Sequence, residues 1–292
     1  MTDFIQLIVA GLATGAIFAL AAIGFTLVWQ TAQTINFAQG EFVMLPAFFA
    51  LGAMYWLGVP FSVAAVMAVA MSIFVLGFLF KRIIVDPLEG QPVLPIVIST
   101  LALAIFLKDG VKDVYSAEAH AFPTILPRDV ISVFGARIAL DQIGVLLVAL
   151  ATILTLAWFL AHTRTGRQMQ AAAMNPTTAR ILGVNVERMV LYTFLINAAL
   201  AAMASLLVSP IYLAKFSNGE TLGLAAFVAA IIGGFNQVRG AIVGGLLIGV
   251  IDNLAAAYVS TQYRQAVPLL LLVLVILFRP QGLLGRKEER AV

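Results

Sequence analysis

"FIQLIVAGLATGAIFALAAIGFTLVW", residues 4–29, runs for 26 residues without a formal charge. A helix needs about 20 mostly apolar residues to cross a hydrocarbon core of roughly 30 Å, so this stretch reads as a membrane span. No basic segment precedes it, and it is read as a retained first span rather than a cleaved signal. The apolar character continues, because Glu41 is the only formal charge among the 77 residues between Asp3 and Lys81. Over the whole chain 62% of residues are hydrophobic and 11% charged, against roughly 25% charged in a soluble domain, and the mean hydropathy is +1.04. The expected fold class is all-α: a polytopic integral membrane protein forming one transmembrane domain over residues 1–292.

The net charge of +3 is small and sits in the loops, which bears on membrane topology and gives no support to nucleic-acid binding. The chain has no cysteine, so disulfides, thiolate catalysis and Cys-ligated metals are excluded. His120 and His162 are far apart in sequence, and no metal cluster, paired carboxylates or Ser/His set is apparent.

Residues 4–29, 42–58 and 61–80 read as three spans, the third stopped by Lys81 and Arg82. "VDPLEGQP", 85–92, is a turn-rich connection, and a fourth span runs from about Val93 to Leu107. The polar piece 108–141 carries four basic residues (Lys108, Lys112, Arg128, Arg137) against five acidic ones, so it has no positive bias. After a fifth span at 142–161, the segment 163–188 holds Arg164, Arg167, Arg180 and Arg188 against Glu187 alone, which places it in the cytoplasm. The tail with Arg279, Arg286, Lys287 and Arg290 reads the same way. Four crossings fit between them: about 189–209, 221–238, 240–259 and 265–278. The total is eight or nine spans. The apolar part of the seventh, Leu222 to Phe235, is 14 residues, or about 21 Å of helix, which suits a broken or half helix. Three spans before Lys81 put the N-terminus outside, and a re-entrant segment near 31–41 would upset that count.

Glycines recur at four-residue spacing: Gly11 and Gly15, Gly240 and Gly244, Gly245 and Gly249. Such patterns let helix backbones approach closely, either within this chain or against another subunit.

Within "INFAQGEFVML", 35–45, Asn36, Gln39 and Glu41 are polar where the chain is otherwise built for hydrocarbon. An ionised carboxyl at mid-bilayer costs on the order of 3 kcal/mol on insertion scales, so Glu41 should face protein, water or a translocation path. Two readings stand. The three residues line a solute route or gate, or they form a polar turn with Glu41 in a first helical turn, where a carboxylate suits the dipole. Asn197, Asp252 and Asn253 pose the same choice between interhelical hydrogen bonding and a path. Lys215 and Glu220 fall in an outer loop, either solvated or in contact with a soluble partner.

A membrane protein hydrolysing its own ATP would need a phosphate cradle ending in Gly-Lys-Ser/Thr, yet none of the five lysines is followed by Ser or Thr. Any ATP must be bound by another chain. The segment 163–188 predicts a helix over "GRQMQAAAM" from Arg167. A second helix is capped by Asn175, has Pro176 in its first position and stops after Leu182 at Gly183. Ala171, Ala172 and Ala179 are small enough for a partner's groove to come close, and Arg164 and Arg167 offer charge at the edge. The alternative is an amphipathic surface connector.

The segment "TGRQMQAAAMNPTTARILGVNVERMVLYTFLINAALAAMASLL", 165–207, resembles the cytoplasmic loop and following span of permease subunits of bacterial ABC importers. Together with "GLATGAIFALAAIGFTLVW", "INFAQGEF", "AAFVAAIIGGFNQVRGAIVGGLLIGV" and "LFRPQGLLGR", it is similar to the branched-chain amino-acid permease family over nearly the whole chain. Gln39 stands where histidine is common in that family, which removes a titrating imidazole, and the insert around 108–137 matches only loosely.

The resemblance implies a coupling loop at about Gly166 to Gly183, comprising Gly166, Arg167, Ala171, Ala172, Asn175, Pro176, Ala179, Leu182 and Gly183. It also implies two ATPase subunits that use ATP and Mg, with no cofactor in this chain, a second related permease forming a heterodimer, and a periplasmic substrate-binding protein. The location would be the bacterial inner membrane, in contact with lipid, and the cargo branched-chain or related hydrophobic amino acids. The alternatives are a permease for urea or short amides, a self-sufficient secondary transporter with Glu41 or Asp252 as ion site, and a non-transporting scaffold.

Overall fold

The first helix, α1 (Thr2–Ala32), is continuous because nothing in it breaks a helix in lipid, and it stops where Gln33 turns to φ 51° and its N–H bonds the Trp29 carbonyl at 2.9 Å. A non-helical step over residues 33–38 leads into α2 (Gln39–Leu57). The structure, a computed structural model, describes residues 2–124, 126, 129–133, 136–261, 263–264 and 266–285. Arg128 and the tail charges Arg286, Lys287, Glu288, Glu289 and Arg290 lie outside the described residues.

Next come α3 (Phe61–Ser72), two π-helical stretches (Ile73–Leu79 and Lys81–Val85) and α4 (Asp86–Leu88), in effect one rod, then α5 (Val93–Tyr115). A short hairpin of β1 (Val130–Val133) and β2 (Ala136–Ala139) precedes α6 (Leu140–His162). After it follow α7 (Arg164–Met174), α8 (Pro176–Ile181), α9 (Val186–Tyr212), α10 (Asn218–Gly233), α11 (Val238–Tyr258) and α12 (Ala266–Phe278). Among the described residues seven helices are long and apolar enough to span a bilayer, and α10 and α12 are shorter apolar helices. The protein is an all-α polytopic membrane protein, with one small hairpin among the described residues.

Several boundaries differ from the sequence reading, α10 for one ending at Gly233 rather than 238, and three of the differences have a visible cause. Lys81 and Arg82 do not end the third span. The helix continues to Leu88 because the Lys81 ammonium, nearly buried, pairs with Asp86 five residues on, and Arg82 reaches the same carboxylate at 3.5 Å. The fourth span does not end at Leu107 but runs on to Tyr115. Its two lysines have partners elsewhere in the chain: Lys108 pairs with Glu220, and the Lys112 ammonium lies 5.9 Å from the centre of the Phe216 ring. The helix of 163–174 begins at Arg164 rather than Arg167, because the Thr163 hydroxyl caps it by accepting from the Gly166 N–H at 2.9 Å.

The chain divides into two compact units. One comprises the residues up to Thr26, Leu126–Ala149 and those from Leu224 onward. Here α1 and α11 meet along small residues: a Cβ on Gly15 would lie 2.8 Å from the Leu246 Cα, and one on Gly11 2.7 Å from the Val250 Cα. The four-residue glycine spacing thus serves packing within the chain. After α10 the backbone turns through Gly234 at φ 114°, and "RPQGLLG", 279–285, returns to it. Leu283 N–H and Leu284 N–H donate to the Ile232 and Gly233 carbonyls at 2.8 and 3.0 Å, satisfying the carbonyls that the helix end leaves open.

The other unit comprises Leu27–Ile125 and Leu150–Gly223. Its core is the pairing of α2 with α9, and their common direction is fixed by two hydrogen bonds with the same sequence offset, Gln39 to Asn197 and Ala47 to Ser205. Pro46 interrupts the backbone ladder of α2, and the neighbouring Ala47 N–H donates to the Ser205 hydroxyl at 3.0 Å. This is how a proline is tolerated in a spanning helix. Aromatic rings fill the interior beside this pair, with Phe42 edge-on to Phe80 at 5.0 Å and Phe80 against Phe194 at 5.7 Å.

Candidate functional site

The residues singled out near the start of α2 are all buried in the second unit, but they meet different neighbours: Gln39 meets Asn197 of α9, Glu41 meets Gly219 of α10, and Asn36 bonds within its own turn. Asn36, Gln39, Glu41 and Asn197 are each 4% exposed or less. Gln39 and Asn197 exchange one hydrogen bond in each direction, amide to amide. Asn36 holds the turn into α2, its Oδ1 accepting from the Ala38 N–H at 3.0 Å, while the Phe37 N–H donates to the Thr100 hydroxyl of α5 at 3.3 Å.

The Glu41 carboxylate lies against the first turn of α10, where a Cβ on Gly219 would be 2.6 Å from its carboxyl carbon. A Cβ on Gly223 would meet the Gly40 Cα at 2.6 Å, so two helix starts cross with almost no side chain between them. The N-terminal end of a helix carries partial positive charge, which favours a carboxylate there. Two atoms of this group, Glu41 Oε2 and Asn36 Nδ2, are buried and find no hydrogen-bond partner among the described residues. An unpaired buried polar atom costs about 1–3 kcal/mol, a cost commonly met at a site that acquires a partner in use.

A polar stripe continues along α9: Thr193, Asn197, Ser205 and Ser209 lie at multiples of four residues, all 3% exposed or less. The Thr193 and Ser209 hydroxyls return to the carbonyls of Met189 and Ser205 at 3.0 and 2.7 Å. Sequence reasoning picked out Asn197 but missed Thr100, Gly219, Gly223 and this stripe. The four-residue period of small hydroxyl residues was the available signal. Glu220 lies in the first turn of α10 and pairs with Lys108, while Lys215 is in the turn before it.

The second constellation is the helix pair α7–α8. Asn175 Oδ1 accepts from the Thr178 N–H at 2.9 Å, Pro176 opens α8, and Gly183 at φ 83° ends it, all as the sequence indicates. One face of the pair is closed: Gly166, Met169, Ala172 and Ala179 are buried. Gly166 is pressed on α6, where a Cβ would lie 2.6 Å from the Leu160 Cα. Ala172 and Ala179 are therefore small because they pack within their own chain. They do not face outward as expected for a partner's groove, and Ala171 is half-buried. The outward face carries three exposed apolar side chains, Met174 85%, Ile181 81% and Leu182 75%, among exposed polar ones that include Gln168, Gln170, Thr177 and Arg180. Arg164, Arg167, Asn175 and Pro176 are exposed beside it. Met174 and Ile181 were missed because a lone methionine or isoleucine next to a helix turn carries no distinctive pattern.

A profile of the family described as "Branched-chain amino acid transport system / permease component" matches residues 7–276. The chain belongs to this family. It is 36% identical to the high-affinity branched-chain amino acid transport system permease protein BraD of Pseudomonas aeruginosa, over 99% of this chain and 98% of that one. It is 33% identical to the corresponding protein LivH of Salmonella typhimurium with the same coverage, and 25% identical to a probable LivH of Methanocaldococcus jannaschii over 92% of this chain and 89% of that one.

In this branched-chain permease component the two remaining path candidates belong to the first unit and are tied up there. Asp252, 8% exposed, takes hydrogen bonds from Arg264 Nε on both oxygens at 2.8 and 2.9 Å. Asn253 Nδ2 donates to the Gly249 carbonyl at 2.9 Å and reaches the Thr14 hydroxyl at 3.4 Å. These contacts fasten α11 to the turn before α12 and to α1. Among the described residues no group of three or more His, Asp or Glu side chains is arranged to hold a metal.

Proposed function

We propose that this permease component is the membrane-spanning subunit of an ATP-driven importer of ABC type, carrying branched-chain or related hydrophobic amino acids across a bacterial inner membrane. ATP and Mg are held by two separate ATPase subunits, a second related permease completes the pathway, and a periplasmic binding protein delivers the cargo. The observation that carries this reading is the α7–α8 elbow, closed on one side by its own chain and presenting Met174, Ile181 and Leu182 uncovered on the other. Exposed apolar side chains beside exposed arginines, on a segment of cytoplasmic charge bias, suit a docking surface for the motor.

The cargo route on this chain runs along the buried polar residues Asn36, Gln39, Glu41 and Asn197. The Gly40–Gly219–Gly223 crossing closes it, and motion of the elbow is passed along α9, which packs on α7. Transport then proceeds by alternating access, with ATP binding in the partners biasing one of two states. The test is uptake by cells lacking their own branched-chain importers and supplied with this chain and its partner subunits. ATP-dependent leucine uptake that excess urea or acetamide leaves unchanged supports the reading. Uptake of urea or amides instead, or leucine uptake driven by an ion gradient without ATP, overturns it.

A further inference from the structure

A cavity of about 520 Å³ opens where the third span and α9 diverge, close to the elbow. Its charged lining is balanced: Lys81, Arg82 and Arg188 against Asp86, Glu89 and Glu187. Lys81 and Arg82 both share Asp86. Because two cations share the one Asp86 carboxylate, and Arg188, Glu89 and Glu187 have no ion-pair partner among the described residues, two positive and two negative charges of the lining are left without a full partner. Its apolar edge is formed by Phe78 and Leu191.

Phe78 closes a stripe along the outer face of the third span. Met67, Met71, Phe74 and Phe78 follow one another at helical spacing, each between 39% and 55% exposed, and the Phe74 and Phe78 rings stack at 6.0 Å. That is a surface acyl chains can cover, and its last residue, Phe78, lines the charged cavity together with Glu187 and Arg188 of the segment whose charge bias points to the cytoplasmic headgroups.

We propose that this cavity binds the headgroup of a zwitterionic aminophospholipid of the phosphatidylethanolamine class. The Arg188 and Arg82 guanidinium groups take the phosphate, a match of planar donors to tetrahedral oxygens. Glu89 and Glu187 accept from the primary ammonium, and the acyl chains lie along the Phe74–Phe78 stripe. A lining of equal and opposite charge favours a neutral zwitterion over an anionic lipid. A quaternary choline headgroup has the charge but no N–H to donate to the two carboxylates. A free amino acid offers the same pair of ammonium and anion, but it would leave the apolar stripe uncovered. The stripe favours the lipid.

The test is native mass spectrometry of the detergent-purified full-length chain titrated with phosphatidylethanolamine, phosphatidylcholine and phosphatidylglycerol of identical acyl chains. Retention of the ethanolamine lipid about tenfold above the other two is expected, the scale of one or two charge-assisted hydrogen bonds. R188Q and the double variant E89Q/E187Q should each reduce that preference to about twofold or less, while E118Q, at an exposed acid elsewhere, should keep it. All these side chains are exposed, so folding is not at stake. Equal retention of the three lipids, an unchanged preference in both cavity variants, or displacement of the ethanolamine lipid by millimolar leucine would overturn the proposal, the last outcome assigning the cavity to a free amino acid.

Discussion

Gln39 and Asn197 donate to and accept from each other across α2 and α9, Nε2 to Oδ1 at 2.7 Å and Nδ2 to Oε1 at 2.9 Å. A reciprocal amide pair occupies one N–H and one oxygen lone pair of each group while it is closed. Opening a route here therefore means parting α2 from α9 or exchanging these bonds for bonds to cargo. The pair is both a clasp and a latch.

Replacing one member leaves the other as an orphan amide in the core, whereas replacing both removes the polar demand altogether. Gln39→Leu and Asn197→Leu should each lower thermal stability in detergent. The double variant should be less destabilised than their sum, with a coupling of about 1 kcal/mol, the usual scale for interhelical hydrogen bonds in membranes. Strict additivity of the two single effects would show that the amides act independently.

The glycine crossing makes a sharper prediction, because space and not polarity decides it. Gly219→Ala drives a methyl group into the Glu41 carboxylate, and Gly223→Ala drives one into the Gly40 backbone. Uptake should fall about tenfold or more in each, on the scale of overpacking a tight contact. Gly110→Ala, whose added Cβ meets nothing within 4 Å, serves as the control and should transport normally. Normal uptake by Gly219→Ala would remove the crossing from the mechanism.

Accessibility distinguishes a path from a mere polar turn. Cysteine placed at Asn36 or Glu41 in the assembled importer should react with a water-soluble thiol reagent during ATP turnover, and excess leucine should slow the labelling. Cysteine at Ala201, fully buried on α9 between Asn197 and Ser205, should stay unreactive. Labelling at Asn36 and Glu41 that is absent, or indifferent to leucine, would return them to a structural role.

How far these residues could be read in advance depended on the distance over which their partners act. The elbow was legible in detail because its signals are local: Asn175 caps, Pro176 starts and Gly183 stops within one short segment. The continuation of the third span past Lys81 was hidden by a partner five residues on, and that of α5 past Lys108 by one 112 residues away in Glu220. The family piece "RPQGLLG" could be recognised as specific but not explained, since its purpose is to close the carbonyl end of α10, some 50 residues earlier in the chain. Asn36, Gln39, Glu41 and Asn197 could each be noticed as polar in apolar surroundings. That Gln39 meets Asn197 and Glu41 meets the start of α10, while Asp252 is held by Arg264, is a property of the packed helices alone.

On the elbow, structure and sequence lead to different mutations. Arg167→Glu alters the exposed edge, but Ala172→Glu buries a charge inside the elbow and should lower expression or insertion, as unpaired buried charge does. Met174→Glu and Leu182→Glu change only the outward face. They should leave membrane insertion and the α7–α8 fold intact while reducing ATP-driven uptake about a hundredfold, the scale of losing an apolar hot spot.

The most direct measurement of the central claim is leucine accumulation in sealed vesicles, with this chain reconstituted beside its partner permease, with or without the ATPase subunits, and with wild-type or Leu182→Glu elbows. Uphill uptake that needs both ATP and the ATPase subunits, and that disappears with the elbow variant although the chain remains inserted, is the result expected. Uphill uptake by the chain without any ATPase, or full ATP-driven uptake with the outward face of the elbow charged, would contradict it.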